Sequence, residues 1–290
     1  MKFPKYLAAL AASSILAAAS PAMAQEETTR LEPNDPMAES VFNGDYLTVG
    51  VGVGYVPDYD GADEYVIFPL PVIQGSIGGI DINPRPGGLA VDFVQDTRGQ
   101  TSFDAGVTAR VRGNRTGDLD DPVVASLGEL DTAIEVGPTV GVSFPALLNP
   151  FDSLSASVDV RWDVAGAHKG RVIDPSISYF TPLSRGIAAS LSLSASFVDD
   201  DYASYYYDVT PADAITSGLP VFDADGGLHK AGVNLLVGVD LDGDVTNGGL
   251  ALVFIVGYSR MLGDAKDTPF TSVRGSADQW LGAVGLAYTF

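Results

Sequence analysis

The chain has 290 residues and a formal net charge of −21, from 37 acidic against 16 basic side chains, and it contains no cysteine. Such acidity excludes nucleic acid as a partner and disfavours anionic membrane surfaces, and the lack of thiols excludes disulfides and thiolate metal sites. Glycine is abundant at 33 residues, hydrophobic residues make up 46%, and helix signals are scarce, a composition that suits many moderately apolar strands.

Residues 1–24 read as a secretory signal peptide. Lys2 and Lys5 precede an apolar run over 7–19, and Ala22-Met23-Ala24 places small residues where a signal peptidase reads them, making Gln25 the new N-terminus. That run is too short and alanine-rich to span a bilayer, and no later run approaches the roughly 20 apolar residues a membrane helix needs. If the chain crosses a membrane, it does so with strands. Residues 25–45 are polar, acidic and proline-containing and are expected to form a flexible N-terminal arm. Residues 46–290 form the barrel domain of this reading.

From there the pattern is alternation. Leu47, Val49, Val51, Val53 and Tyr55 are interleaved with Thr48, Gly50, Gly52 and Gly54, the period of two that marks a strand with unlike faces. A second strand is expected over 65–74, weakened by Pro69 and Pro71. Short strands follow around 80–82 and 89–93. Longer ones are expected over 103–112, 134–144 (with Pro138 awkward inside it), 154–164, 171–181, 187–197, 231–241 and 250–258. The last strand, 277–290, puts Trp280, Val284, Leu286, Tyr288 and Phe290 on one face and mostly small residues on the other. The ending Gly285-Leu286-Ala287-Tyr288-Thr289-Phe290 resembles the terminal signal read by the bacterial outer-membrane assembly machinery, with Ala283 where a polar residue often stands.

These features predict an all-β fold: an antiparallel transmembrane β-barrel of about 12 strands in the cell outer membrane, its apolar belt against lipid and lipopolysaccharide. An even strand number puts both chain ends on the periplasmic side. It also puts the two longest loops, 113–130 and 199–227, outside and leaves short turns within the periplasm.

The faces opposite the apolar ones carry both signs of charge: Asp92, Asp104, Arg110, Arg112, Glu135, Asp159, Arg161, Asp163, Asp174 and Asp240. Two readings stand for them. They form ion-pair networks that fill a narrow interior, or they form the selective rings of a conducting pore. His168 and His229 sit in or beside turns and lack a second histidine at ligand spacing. The carboxylate clusters Asp199-Asp200-Asp201 and Asp240, Asp242, Asp244 offer hard-cation chemistry or solvated turns. Tyr202, Tyr205, Tyr206 and Tyr207 are expected to belong to an interfacial aromatic girdle, with a binding surface as the alternative. No residue is assigned to catalysis, a cofactor or a metal.

Several ordered pieces resemble the MltA-interacting protein family, also called MipA/OmpV: GVGYVPDYDGADEY and FPLP near the start, YYYDVTPADAITSGLPVFDADGGL and GYSRMLGDAKDTPF later, and the closing GLAYTF. Tyr207-Asp208-Val209-Thr210 stands where members usually show Phe-Gly-Val-Thr, and Asp267-Thr268-Pro269 where they tend to show Asp-Ser-Pro. The resemblance implies an outer-membrane protein without known catalysis. It implies a scaffold that joins a membrane-bound lytic transglycosylase to a bifunctional penicillin-binding protein in murein synthesis. Other members are described as porin-like or adhesive. A narrow diffusion channel, or an adhesin acting through the outer loops, are therefore the alternatives.

Overall fold

The computed structural model describes residues 40–95 and 99–290. The signal segment and the arm as far as residue 39 lie outside the described residues. Twelve strands follow: β1 (Tyr46–Pro57), β2 (Tyr65–Ile77), β3 (Ile80–Arg85), β4 (Gly88–Asp92), β5 (Ser102–Arg112), β6 (Ala133–Pro145), β7 (Ser153–Asp163), β8 (Arg171–Ser184), β9 (Ile187–Val198), β10 (Gly227–Asp240), β11 (Gly249–Met261) and β12 (Asp278–Thr289). Each pairs with its neighbours in sequence, and β12 pairs antiparallel with β1 to close the barrel. At that seam the hydroxyls of Thr48 and Thr289 lie 2.7 Å apart, and Phe290 N donates to Leu47 O at 2.9 Å. A Cβ on Gly52 would lie 2.7 Å from Val284 O, so glycine is what lets the two strands approach.

The polarity is inverted relative to a water-soluble barrel. Val51, Ile67, Phe103, Val140, Leu193, Val256 and Leu286 are exposed on the outside, while Arg112, Glu135, Asp159 and Arg161 are buried inside. Apolar-out alternation of this kind needs hydrocarbon as its covering layer. No helix among the described residues is long and apolar enough to cross a membrane; the crossing elements are strands. The expected awkwardness of Pro138 is visible. It pairs with Val107 of β5, but the ladder to β7 lapses between Val136 and Thr139.

β2 is paired on one side only for most of its length. Tyr65 to Ser76 match β1 residue by residue, whereas the ladder to β3 consists of Gly75, Ser76 and Ile77 alone. Among the described residues no strand pairs with the other edge of 65–74. Pro69 and Pro71 sit in that stretch. They do not weaken the strand so much as mark an edge, where a missing N–H has no ladder to break.

The two ends of the barrel differ. At one end the connections are short, and the last residues before β1 are docked there rather than loose: the 3-10 turn Val41–Asn43 donates from Val41 N to Thr246 O at 2.9 Å. At the other end the connections fold into a lid carrying α1 (Pro122–Ala125), α2 (Asp200–Tyr207), α3 (Pro211–Ser217), α4 (Gly263–Asp267) and α5 (Pro269–Ser272). The lid has its own apolar cores. One gathers Tyr202, Ala203, Tyr206, Tyr207, Ala224 and Ala265 over Val172, Val198 and Met261 of the barrel rim. The other gathers Tyr59, Ala62, Val124, Val209, Leu219 and Phe270 from four connections. The sorting of long and short connections agrees with the parity argument, which makes the lid the outer end.

Candidate functional site

A network of charged side chains crosses the lumen. Strands β5 to β8 turn alternate residues inward, and at the lid end those residues are charged. Glu135 is fully buried and accepts from Arg112 Nε and, at 3.3 Å, from Arg112 Nη2. It also receives Arg161 Nε at 3.4 Å and His168 Nε2 at 3.3 Å. Arg161 continues the chain with Nη1 on Asp159 at 2.9 Å and Nη2 on Asp174. Asp159 is further held by Thr139 Oγ1 at 2.6 Å and, from β3 across the lumen, by Arg85 Nε at 3.0 Å. Arg110 approaches Asp174 at 3.7 Å.

The network extends into the lid. Asp60, in the connection between β1 and β2, pairs with Lys230 of β10 and lies 3.9 Å from Arg112. Burial alone would raise the Asp60 carboxyl; Lys230 and Arg112 outweigh it and hold the group well below the usual carboxylate range. Five of the chain's 16 Lys and Arg side chains meet here. In a protein so acidic, that is a dense gathering of cations at one level of the barrel.

Aromatic rings cover the network. Arg112 lies over the Tyr202 ring at 5.0 Å, and His168 packs edge-on against the same ring at 4.9 Å. Tyr202, Tyr206 and Tyr207 are at most 1% exposed, so they form the underside of the lid and not an interfacial girdle. α2 points into the barrel mouth, which buries it on several sides. Burial also raises these three phenols well above their ordinary pKa. Lid segments are tied together by Arg274 on Asp121 at 2.8 Å and by Thr268 Oγ1 donating to Tyr207 O at 2.7 Å. Burial opposes ionisation of Asp121, but Arg274 and the N–H groups of Val123 and Val124 hold its carboxyl low.

Six of the ten inward charges expected from the alternation converge: Arg110, Arg112, Glu135, Asp159, Arg161 and Asp174. Three of the remaining four are held elsewhere. Asp92 accepts from the N–H groups of Val94 and Ala105, Asp163 caps the turn after β7, and Asp240 accepts from Asp242, Gly243 and Asp244 N–H at the short-turn end. Asp199 caps α2. Both histidines are buried. His168 Nδ1 accepts from Gly170 N, so Nε2 carries the proton toward Glu135, while His229 Nδ1 donates to Ser196 O at 3.2 Å. Sequence reading missed Asp60, Arg85 and Lys230; Arg85 and Lys230 do occupy the inward parity of their strands, which was the available signal.

Among solved structures, similarity is to other outer-membrane barrels. The outer membrane channel from Pseudomonas putida F1 is 14% identical, with a TM-score of 0.45 over 88% of this chain and 99% of that one. OmpT of Vibrio cholerae is 8% identical, with a TM-score of 0.38 over 85% and 97%. The toluene transporter TodX of Pseudomonas putida is 7% identical, with a TM-score of 0.37 over 85% and 89%. Among curated proteins none matches. The profile of the family described as MltA-interacting protein MipA matches residues 49–290, from the first strand to the final phenylalanine. The chain is an outer-membrane β-barrel and belongs to the MltA-interacting protein MipA family.

Proposed function

We propose that the protein is a closed, non-catalytic barrel that serves as a membrane-embedded platform, docking murein-remodelling enzymes at its periplasmic end. The observation that carries this reading is the double obstruction of the lumen, a cross-barrel ion-pair network beneath a lid with its own apolar cores. Free diffusion of solutes would require both to move. The family description favours a lytic transglycosylase as partner, and a penicillin-binding protein is the second partner the scaffold reading calls for. No docking is expected on the lid, since it faces outward. The short turns and the arm remain.

The turn after β10 is a rigid surface for such contact: Asp240 Oδ1 gathers three backbone N–H groups, and Arg185 Nη2 pairs with Asp244 at 2.7 Å. The arm adds Glu26, Glu27, Glu32, Asp35 and Glu39 against Arg30. It suits a basic partner surface with salt-sensitive affinity. Two measurements test the reading. Planar-bilayer recordings should show no steady single-channel steps. Pull-down of lytic transglycosylases should fall when residues 25–39 are removed, and more so at low than at moderate salt, where the arm's charges are already screened. Steady conductance together with arm-independent capture would overturn it in favour of a diffusion channel.

A further inference from the structure

The unpaired edge of β2 opens the barrel wall on its lipid side. Beyond Gly75 the strand loses β3, and β3 and β4 form a short hairpin that turns back at Pro86 and Gly87. Residues 65–71 of β2 therefore flank a window, roughly 20 Å measured along the strand. Its far side is the end of β5, where Val111 N donates to Gly87 O at 2.9 Å. Its upper rim is made by loop contacts, Asp60 N to Asn114 Oδ1 at 3.0 Å and Asp120 N to Asp58 Oδ2 at 3.0 Å. Unpaired backbone at membrane depth is costly, so a wall broken there calls for a compensating use.

The lining supplies one. β2 is apolar on both faces. Ile67, Pro69, Pro71 and Ile73 match the outward residues of β1, whereas Phe68, Leu70 and Val72 match Gly54, Gly52 and Gly50 and face the lumen. A Cβ on Gly54 would meet Leu70 Cδ1 at 2.9 Å, which fixes that side. Phe68 remains 46% exposed although it faces inward, so open space lies before it. At the sill of the window a cation waits. A Cβ on Gly87, whose φ is +73°, would stand 3.6 Å from both Cγ and Nε of Arg110. Among the described residues, the Arg110 guanidinium has as an ion pair only the 3.7 Å approach to Asp174.

We propose that this window is a side entrance from the bilayer for a single-chain amphipath with an anionic head, a carboxylate or a phosphate. The tail lies along Phe68, Leu70 and Val72, continuous with the lipid-facing belt, and the head pairs with Arg110. This assignment stands independently of enzyme docking at the periplasmic end.

Because the chain lacks cysteine, single-cysteine reporters test it in the full-length protein held in nanodiscs. A solvatochromic dye at Gln74→Cys reads the lumen side, and the same dye at Ile73→Cys reads the lipid side. Palmitate should give a saturable blue shift at the first position and a linear, unsaturated one at the second. Arg110→Gln should weaken palmitate at least tenfold and leave hexadecanol unchanged, with Arg110→Lys restoring most of the affinity. Leu70→Gln should weaken both ligands at least tenfold, and it carries the test if Arg110→Gln does not fold. Parallel titrations with palmitate and lysophosphatidate tell a carboxylate preference from a phosphate one. A linear response at Gln74→Cys, or affinities unmoved by the substitutions in folded protein, would overturn the assignment.

Discussion

Glu135→Gln is the sharpest test of the ion-pair network, because Glu135 is its one fully buried carboxylate and serves two arginines and a histidine. The substitution keeps the shape and removes the charge. Breaking a buried ion pair costs about 3–5 kcal/mol when it strands a charge. Here neither arginine is stranded: Arg112 keeps Asp60 at 3.9 Å, and Arg161 keeps Asp159 at 2.9 Å together with Asp174. The expected loss is therefore at the low end, about 3 kcal/mol, a factor of roughly 150 in the folding equilibrium. The assay is urea unfolding of protein refolded into liposomes, followed through Trp162 and Trp280, which are both on the exposed outer wall. Glu129→Gln, on an exposed stretch of the lid, is the control and should stay within about 0.5 kcal/mol of the parent. An Arg112→Met cycle should return a coupling of at least 1 kcal/mol, on the order expected for contacting charges. If Glu135→Gln matches the Glu129 control, the network contributes no more than a solvated surface does, and the account of the obstructed lumen fails.

Phe254→Arg on the lipid face should cost about 2–4 kcal/mol, and Val253→Arg, whose side chain faces the lumen, should cost less in the same liposome unfolding assay; a reversed order would invert the facing of β11. Asp60 and Asp121 both have carboxyls held below their ordinary value, so the stability they lend is complete above that value and is lost as pH falls through the lowered one. Protection of the lid from proteolysis should accordingly be unchanged between pH 8 and pH 5 and decline only below about pH 4. The phenols of Tyr59, Tyr202, Tyr206 and Tyr207 are raised, chiefly by burial, so spectrophotometric titration at pH 11 should leave at least these four tyrosines un-ionised until urea releases them.

Period-two alternation was enough to place the strands, because lipid outside and charge inside impose opposite polarity on adjacent residues. The same alternation pointed to the strand-borne half of the ion-pair network. It had nothing to say of Asp60, which reaches the lumen from a turn. The lid reads as loop in the sequence because its helices are short and are held by burial instead of amphipathic repeats. Even so, α3 carried a legible start and stop: Thr210 and Asp213 form a capping box, Pro211 follows the cap, and Gly218 closes the helix with φ +75°. A girdle is the expectation for the tyrosines because aromatic residues gather at barrel rims. Nothing local distinguishes a ring aimed at headgroups from one aimed into the mouth. Proline inside β2 reads as weakness in a paired strand, but the same rule allows an edge position, and that is where the ladders put it.

The seam between β1 and β12 also governs how the barrel comes into being. Every other ladder joins strands consecutive in sequence, so hairpins can form as the chain becomes available. Thr48 and Thr289 are 241 residues apart, and joining such distant ends costs about 5 kcal/mol of chain entropy beyond a constant. Curling and zippering must therefore come last and set the pace of folding. Once formed, the seam reopens only by releasing eight matched residue pairs where no water can take up the freed donors. The finished barrel persists because leaving it is slow, and its lifetime, more than its equilibrium stability, is the quantity that evolution of this seam would adjust.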